Sequence, residues 1–317
     1  TVSVAVVGPH GADRGEVSFR LDPAGGIRIA GAAVLSGDPG ADGSRAASLV
    51  EPSRRALLES LRLATLPPPS DPSNRWLGEP KAIALGRELF FDRKLSSNGK
   101  VSCATCHQPE RAFTDGVARA VGVGQVQRNT PDLFGVAQRT WFDWDGRRDS
   151  SWAQALIPFE AQEEMGSSRV AVLRRVEQRY GKAYAELFGP LPSVDGLPDD
   201  AGPIGPKAHR AAWRSIDAKR RDAVSTAFAN VGKAIAAFEA TIEIEPTLFD
   251  RYVEAVLTDA PEAESTLTRS ERAGLDLFLD VEKTLCLRCH NGPLLSKKGF
   301  HNIGTANVTG PHLDFGR

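Results

Sequence analysis

Two copies of Cys-x-x-Cys-His, Cys103-Ala104-Thr105-Cys106-His107 and Cys286-Leu287-Arg288-Cys289-His290, use all four cysteines of this 317-residue chain. Their spacing is that of covalent haem c attachment. Two thiols add to the two vinyl groups of one porphyrin, and the imidazole directly after the second thiol swings under the ring to bind iron. Two such sites predict two covalent haems, with His107 and His290 as iron ligands. A structural zinc site fits poorly, because the pairs lie far outside the zinc-ribbon interval and zinc needs no adjacent histidine. A redox-active disulfide belongs at a strand-to-helix junction in a βαβ pattern. Neither pair has that context.

The length allows two domains with cores of their own, and the separation of the motifs places one haem in each. A formal net charge of -1 gives no global electrostatic case for nucleic acid or an anionic membrane. No apolar run approaches the roughly 20 residues of a membrane helix, so the chain reads as soluble with no transmembrane segment. Haem c is attached outside the bacterial cytoplasm, which implies an exported, periplasmic protein. The first residues, Thr1-Val2-Ser3-Val4, lack the basic and apolar regions of a signal peptide and read as a processed or trimmed mature start.

The expected fold is mainly α: two c-type cytochrome-like domains, each holding one covalent haem, after a short β-like N-terminal segment. Residues 1–53 form the extension, with alternating segments at Val2 to Val7, Glu16 to Leu21 and Ile27 to Val34 that read as strands. Residues 54–190 form the first haem domain and 191–317 the second. Leu57, Leu58 and Leu61 make a helical stripe that ends at Pro67-Pro68-Pro69. A helix near Pro80 to Phe91 leads through Ser96-Ser97-Asn98-Gly99 into the first motif. The stretch from Gln108 to Asp149 is irregular, and an apolar haem explains how so long a loop is organised. Val224, Phe228, Val231, Ile235, Phe238 and Ile242 recur at intervals of four and three, the buried face of one long helix. Thr268 and Glu271 have capping-box spacing ahead of a helix that delivers the second motif. The Leu191 to Pro206 segment reads as an interdomain excursion.

The run Leu85-Gly86-Arg87-Glu88-Leu89-Phe90-Phe91-Asp92, then Leu95-Ser96, the first haem motif and Ala112-Phe113-Thr114-Asp115-Gly116, resembles the bacterial di-haem cytochrome c peroxidase and MauG superfamily. The likeness continues through Arg128-Asn129-Thr130-Pro131, Trp144-Asp145-Gly146-Arg147, Gln154-Ala155, Glu164-Met165-Gly166 and Phe300-His301-Asn302-Ile303-Gly304, covering about residues 54 to 317. Leu66-Pro67-Pro68-Pro69 with Asp71-Pro72-Ser73-Asn74-Arg75 is similar to the methanobactin-cluster branch, whose activity is oxidation of a tryptophan in a partner protein. The resemblance implies that the His107 haem is the peroxide-reactive centre and the His290 haem a six-coordinate electron-transfer centre. It puts Gln154, Pro158 and Glu164 in the distal pocket and Trp144 between the haems, and it makes Asn129 a ligand of a calcium ion between the domains. Heterolysis of peroxide needs a proton moved from one oxygen to the other, which a carboxylate such as Glu164 performs as general acid/base. Gln154 hydrogen-bonds the peroxide or a water, and Pro158 closes the pocket without a backbone donor. Trp141, Trp152, Trp76 and Trp213 read as packing residues, His301 as support for a propionate or a turn, and His10, His209 and His312 as surface histidines. The Arg210, Arg214, Lys219, Arg220, Arg221 cluster reads as a solvated helix face or the meeting place for an acidic partner.

Two departures from the family pattern bear on function. No histidine occurs between His107 and His209, so the loop histidine that closes the first iron in the peroxidase branch has no counterpart. The family also continues well beyond Asp314-Phe315-Gly316-Arg317, and that region carries the second iron's other ligand; Met165 adjoins Glu164 and is not its replacement. Together these expectations describe an oxidoreductase that reduces hydrogen peroxide, shares the oxidising equivalents between haems through Trp144 and oxidises a protein partner. The alternatives are a cytochrome c peroxidase fed by a small redox protein and a non-catalytic di-haem electron carrier.

Overall fold

The computed structural model describes residues 2–7, 14–21, 27–35, 52–301 and 303. His10, Asn302, Gly304, His312 and the Asp314-Phe315-Gly316-Arg317 block lie outside the described residues. Thr1–Pro52 and Ser53–Arg317 are two compact units. In the first, β1 (Val2–Val7), β2 (Arg14–Leu21) and β3 (Ile27–Leu35) form an antiparallel sheet in chain order. Val4 stands opposite Val17 and Glu16 opposite Ala33, with an irregularity between Ser18 and Phe19. The alternating segments of the sequence are these strands.

The rest is helical. In order come α1 (Pro52–Ser60), α2 (Pro80–Phe91), α3 (Cys103–Cys106), α4 (Ser151–Ala155), α5 (Ile157–Glu160) and α6 (Arg169–Phe188). They are followed by α7 (Lys207–Ser215), α8 (Ala218–Glu239), α9 (Leu248–Leu257), α10 (Ala263–Thr266) and α11 (Arg269–Leu279). Local chemistry sets their ends. Pro80 opens α2 without wasting a donor, and the Glu79 carboxylate accepts from Lys81 N. Ser168 Oγ accepts from Ala171 N at 3.1 Å to start α6, and Asp217 accepts from Arg220 N at 2.9 Å to start α8. Thr268 and Glu271 form the reciprocal capping box of α11.

The long helix α8 is the centre of the core. Val224, Phe228, Val231 and Ile235 are buried, and the helix packs against α2, α4 and α6. Two glycines permit the approach. A Cβ on Gly86 of α2 would sit 1.9 Å from the Ala234 carbonyl oxygen, and one on Gly232 of α8 would sit 2.4 Å from that of Trp152. Both would meet backbone, so neither position tolerates a side chain without separating the helices. Meanwhile α1 and the turn after it are pinned to helices far along the chain: Arg54 of α1 pairs with Asp276 of α11 at 2.6 Å, and Arg62, just past α1, pairs with Glu254 of α9 at 2.8 Å. Arg55 donates to the Val256 carbonyl at 3.0 Å. Contacts from both α1 and α8 therefore cross the 190/191 position in sequence. Gln108 to Asp149 is irregular, held by single bridges at Gln108/Thr114, Val121/Gln125 and Phe142/Arg148.

Candidate active site

Each cysteine motif is built the same way. In the first, α3 sets Cys103 and Cys106 one turn apart, and His107 N donates to Cys103 O at 2.8 Å. His107 Nδ1 then donates to Phe113 O at 3.0 Å. In the second, His290 N donates to Cys286 O at 2.8 Å and His290 Nδ1 to Leu295 O at 3.2 Å. Since a carbonyl only accepts, each imidazole carries its proton on Nδ1 and offers the Nε2 lone pair to a metal. Both accepting residues have left-handed backbone, Phe113 at φ 57° and Leu295 at φ 48°, which turns the carbonyl back toward the ring. A phenylalanine packs on each histidine: Phe90 on His107 at 6.5 Å between centroids, and Phe278 on His290 at 6.3 Å.

That repetition has a sequence signature the motif reading passed over. Gly86-Arg87-Glu88-Leu89-Phe90-Phe91-Asp92 of α2 and Gly274-Leu275-Asp276-Leu277-Phe278-Leu279-Asp280 of α11 share Gly-x-acid-Leu-Phe-x-Asp. In each, the Asp caps the next turn: Asp92 accepts from Lys94 N at 2.9 Å, and Asp280 from Glu282 N at 3.0 Å.

The donor set fits one covalent haem at each motif: two free thiols on adjacent turns and an imidazole with its metal-binding nitrogen free. Burial pushes the Cys103 thiol up and Cys106 up to about 11, unlike the depressed thiols of redox-active Cys-x-x-Cys pairs. A cleft of about 590 Å³ runs from His107 to the Leu294 to Phe300 segment behind the second motif, with Trp141 and Trp144 in its wall. That volume is in the range of about 300–1,000 Å³ for small-molecule and cofactor sites.

A smaller cleft of about 110 Å³ brings together most of the residues singled out in the sequence: Cys106, His107, Asn129, Trp144, Gln154, Pro158 and Glu164, with Arg128 and Arg147 beside them. Gln154 comes from α4 and Pro158 from α5. Glu164 is set by the turn after α5, where Val123 N donates to Glu164 O at 2.8 Å and Gly124 N to Glu163 O at 2.9 Å. Gly122 makes this possible, since a Cβ there would lie 2.4 Å from the Glu164 carbonyl oxygen. Burial, helped by nearby Asp143 and opposed by Arg147, pushes the Glu164 carboxyl up to about 7. Among the described residues no histidine other than His107 lines either cleft.

Trp144 is 58% exposed, lines both clefts, and donates its indole N–H to Asn129 O at 2.8 Å. Met165 is buried in the core, with its backbone carbonyl accepting from Ser97 N. Asn129 turns its amide N–H to Val117 O. It offers one side-chain oxygen, and the described residues contain no group of three or more His, Cys, Asp or Glu that could hold a metal ion. Calcium takes six to eight oxygens, of which the Asn129 amide would supply one. His209 is half-buried rather than on the surface, its Nδ1 shielded beside Gly205. Glu239 was read only as part of a core helix, yet its carboxyl is buried and pushed up to about 8 by burial, opposed by Arg139. The signal was present: it stands four residues after Ile235 and three before Ile242, on the apolar stripe.

The sequence model of the di-haem cytochrome c peroxidase family matches residues 80–256. The methylamine utilization protein MauG of Methylorubrum extorquens is 36% identical over 227 residues, 71% of this chain and 53% of that protein. Cytochrome c551 peroxidase of Pseudomonas aeruginosa is 29% identical over 224 residues, 69% of this chain and 53% of that protein. The solved structure of a MauG-like protein associated with microbial copper homeostasis is similar with a TM-score of 0.52 and 26% identity, covering 73% of this chain and 57% of that one. The chain spans about half the length of the curated relatives it matches.

Proposed function

Because this chain belongs to the di-haem cytochrome c peroxidase and MauG family, we propose that it is an exported di-haem oxidoreductase that reacts with hydrogen peroxide at the first motif and oxidises a protein partner. The observation that carries this reading is the convergence of Gln154, Pro158, Glu164 and Trp144 on one cleft with His107. His107 and His290 would each hold a haem through Nε2, with Cys103, Cys106, Cys286 and Cys289 as the covalent tethers. Haem supplies, when bound, an iron able to take two oxidising equivalents from peroxide.

The chain's own residues do the rest. Glu164, with its carboxyl near 7, takes a proton from one peroxide oxygen and returns it to the other at neutral pH. Gln154 donates an amide N–H to orient the peroxide. Pro158 lines the pocket with no N–H to compete for it. Trp144, its indole fixed by Asn129 O, stands in both clefts, which supports a relay of oxidising equivalents toward the second haem. One haem in each of 54–190 and 191–317 completes the proposal. Covalent haem attachment assigns the work to the periplasm, and among the described residues no helix is long and apolar enough to cross a membrane.

With His107 the only histidine at either cleft among the described residues, the oxidised resting protein is expected to show a high-spin ferric signal in electron paramagnetic resonance. A wholly low-spin spectrum contradicts an open first site. Partner oxidation is tested by mass spectrometry after peroxide is added to the protein mixed with a tryptophan-bearing partner. A permanent mass change on the partner tryptophan supports the MauG-like reading, which the MauG-like structural neighbour also favours. Turnover of a reduced small cytochrome with no such mass change assigns the protein to the peroxidase reading instead.

A further inference from the structure

We infer that the face formed by α7 and the first turn of α8 is a docking surface for an acidic face of a protein partner. Between residues 207 and 221 the chain places Lys207, Arg210, Arg214, Lys219, Arg220 and Arg221 against one acid, Asp217. Over the whole chain 39 basic residues stand against 40 acidic ones, so this basic run is offset by an acidic excess elsewhere. Lys207, Arg210 and Arg214 follow at intervals of three and four, so they share one side of α7. Asp217 is already occupied as the N-cap of α8, and the Arg220 guanidinium is spent on the carbonyls of Ser193 and Asp195. Among the described residues the other five find no ion pair or side-chain hydrogen bond. Several arginines elsewhere, Arg54, Arg62, Arg139, Arg147, Arg169, Arg174 and Arg179, each hold a carboxylate.

Leaving these cations uncompensated works against the fold. Lys219, Arg220 and Arg221 occupy the first turn of α8, where the helix dipole disfavours cations, with Asp217 at the N-cap and Asp222 next in sequence as the acids beside them. Arg210 and Arg214 repel each other one turn apart. The sequence accepts both penalties without an internal return, which points outward.

The place suits the proposed reaction, and to that extent the inference rests on that reading. His209 O accepts from Gly202 N at 3.3 Å, and a Cβ on Gly202 would lie 2.7 Å from Glu160 Oε1. A Cβ on Gly205 would lie 3.2 Å from Gln162 Nε2. Glu160 and Gln162 lie at the start of the segment that leads to Glu164, so the loop joined to α7 at His209 packs on that segment. Trp213, on the inner side of α7, lies under the Arg169 guanidinium at 5.3 Å, and the exposed residues of α7 are Lys207, Arg210 and Arg214 with the small Ala208, Ala211 and Ser215. An apolar stripe able to enter a lipid surface is missing there, and an acidic protein face is the partner that complements it.

The test uses the haem-loaded protein and fluorescent poly-L-glutamate as the acidic probe, with anionic phosphatidylglycerol vesicles and duplex DNA as competitors. Arg210→Gln/Arg214→Gln/Lys219→Gln is compared with Lys94→Gln/Lys100→Gln/Lys182→Gln. The first variant is expected to bind the probe about tenfold more weakly, to melt no lower than the parent, and to keep the peroxide-induced spectral change. The second is expected to bind like the parent. Equal loss in both variants, no loss in the first, or tighter binding of vesicles or DNA than of poly-L-glutamate through the same cations overturns the inference. Absence of the spectral change in the parent protein overturns the proposed function and leaves the binding result to decide this one.

Discussion

Replacing Glu164 by Gln is expected to slow the reaction with hydrogen peroxide by about 10²–10⁴-fold while leaving both haems attached. The amide keeps the shape of the side chain and can donate to a peroxide oxygen, but it cannot take a proton and give it back. Acidity provides a second readout. Burial and Asp143 hold the Glu164 carboxyl up to about 7, and the ionised form is the one that accepts the peroxide proton. The parent rate should therefore fall as pH drops through about 7, and the variant should lose that limb. Stopped-flow absorption across the pH range measures both. An electron carrier that saturates both irons has no use for the carboxylate, so an unchanged rate in Glu164→Gln removes the enzymatic reading.

A pair of glycine substitutions at the equivalent place in the two repeats should have opposite signs. In a helix interior, alanine is intrinsically preferred to glycine by about 1 kcal/mol. At Gly274 nothing lies within 4 Å of an added Cβ, so Gly274→Ala should gain stability up to about that amount. At Gly86 the same methyl lands 1.9 Å from Ala234 O and 2.6 Å from its carbonyl carbon. Overpacking of about 1–3 kcal/mol or more then exceeds the propensity gain, because backbone on α8 cannot step aside as a flexible side chain would. Gly86→Ala should lower the melting temperature by several degrees. It should also disturb the first haem selectively, since Phe90 one turn along α2 packs on His107. Thermal melts of the two variants decide the matter. Equal shifts would mean that the α2/α8 crossing is looser than these distances indicate.

Legibility in the sequence followed the range of the interaction. The strands of residues 2–35, the buried face of α8 and the Thr268/Glu271 cap were readable because period and cap chemistry are local. The haem motifs were readable because covalent chemistry fixes their spacing. The attachment of α1 to α9 and α11 through Arg54, Arg55 and Arg62 was not, because an ion pair between residues some two hundred apart leaves no local pattern. Glu239 was overlooked for a related reason: a single acid within an apolar stripe reads as a helix end until neighbours on other elements enclose it. The Gly-x-acid-Leu-Phe-x-Asp repeat was available to direct comparison of the two halves, and it carries the shared device in which a phenylalanine packs on the histidine of each motif. The convergence of Gln154, Pro158 and Glu164 on His107 rested on family register. Only the Val123/Glu164 and Gly124/Glu163 backbone bonds show how an irregular segment brings that acid to the cleft.

The central claim is that the first haem site is open in the resting protein and guarded by an acid. Its most direct test is one equivalent of hydrogen peroxide added to the fully oxidised protein, with no reductant, while absorption is recorded from the visible to the near-infrared. The expected result is an immediate loss of the resting visible spectrum and new near-infrared absorption from an oxidised state shared by both haems. A spectrum that stays unchanged until the protein is first reduced contradicts it.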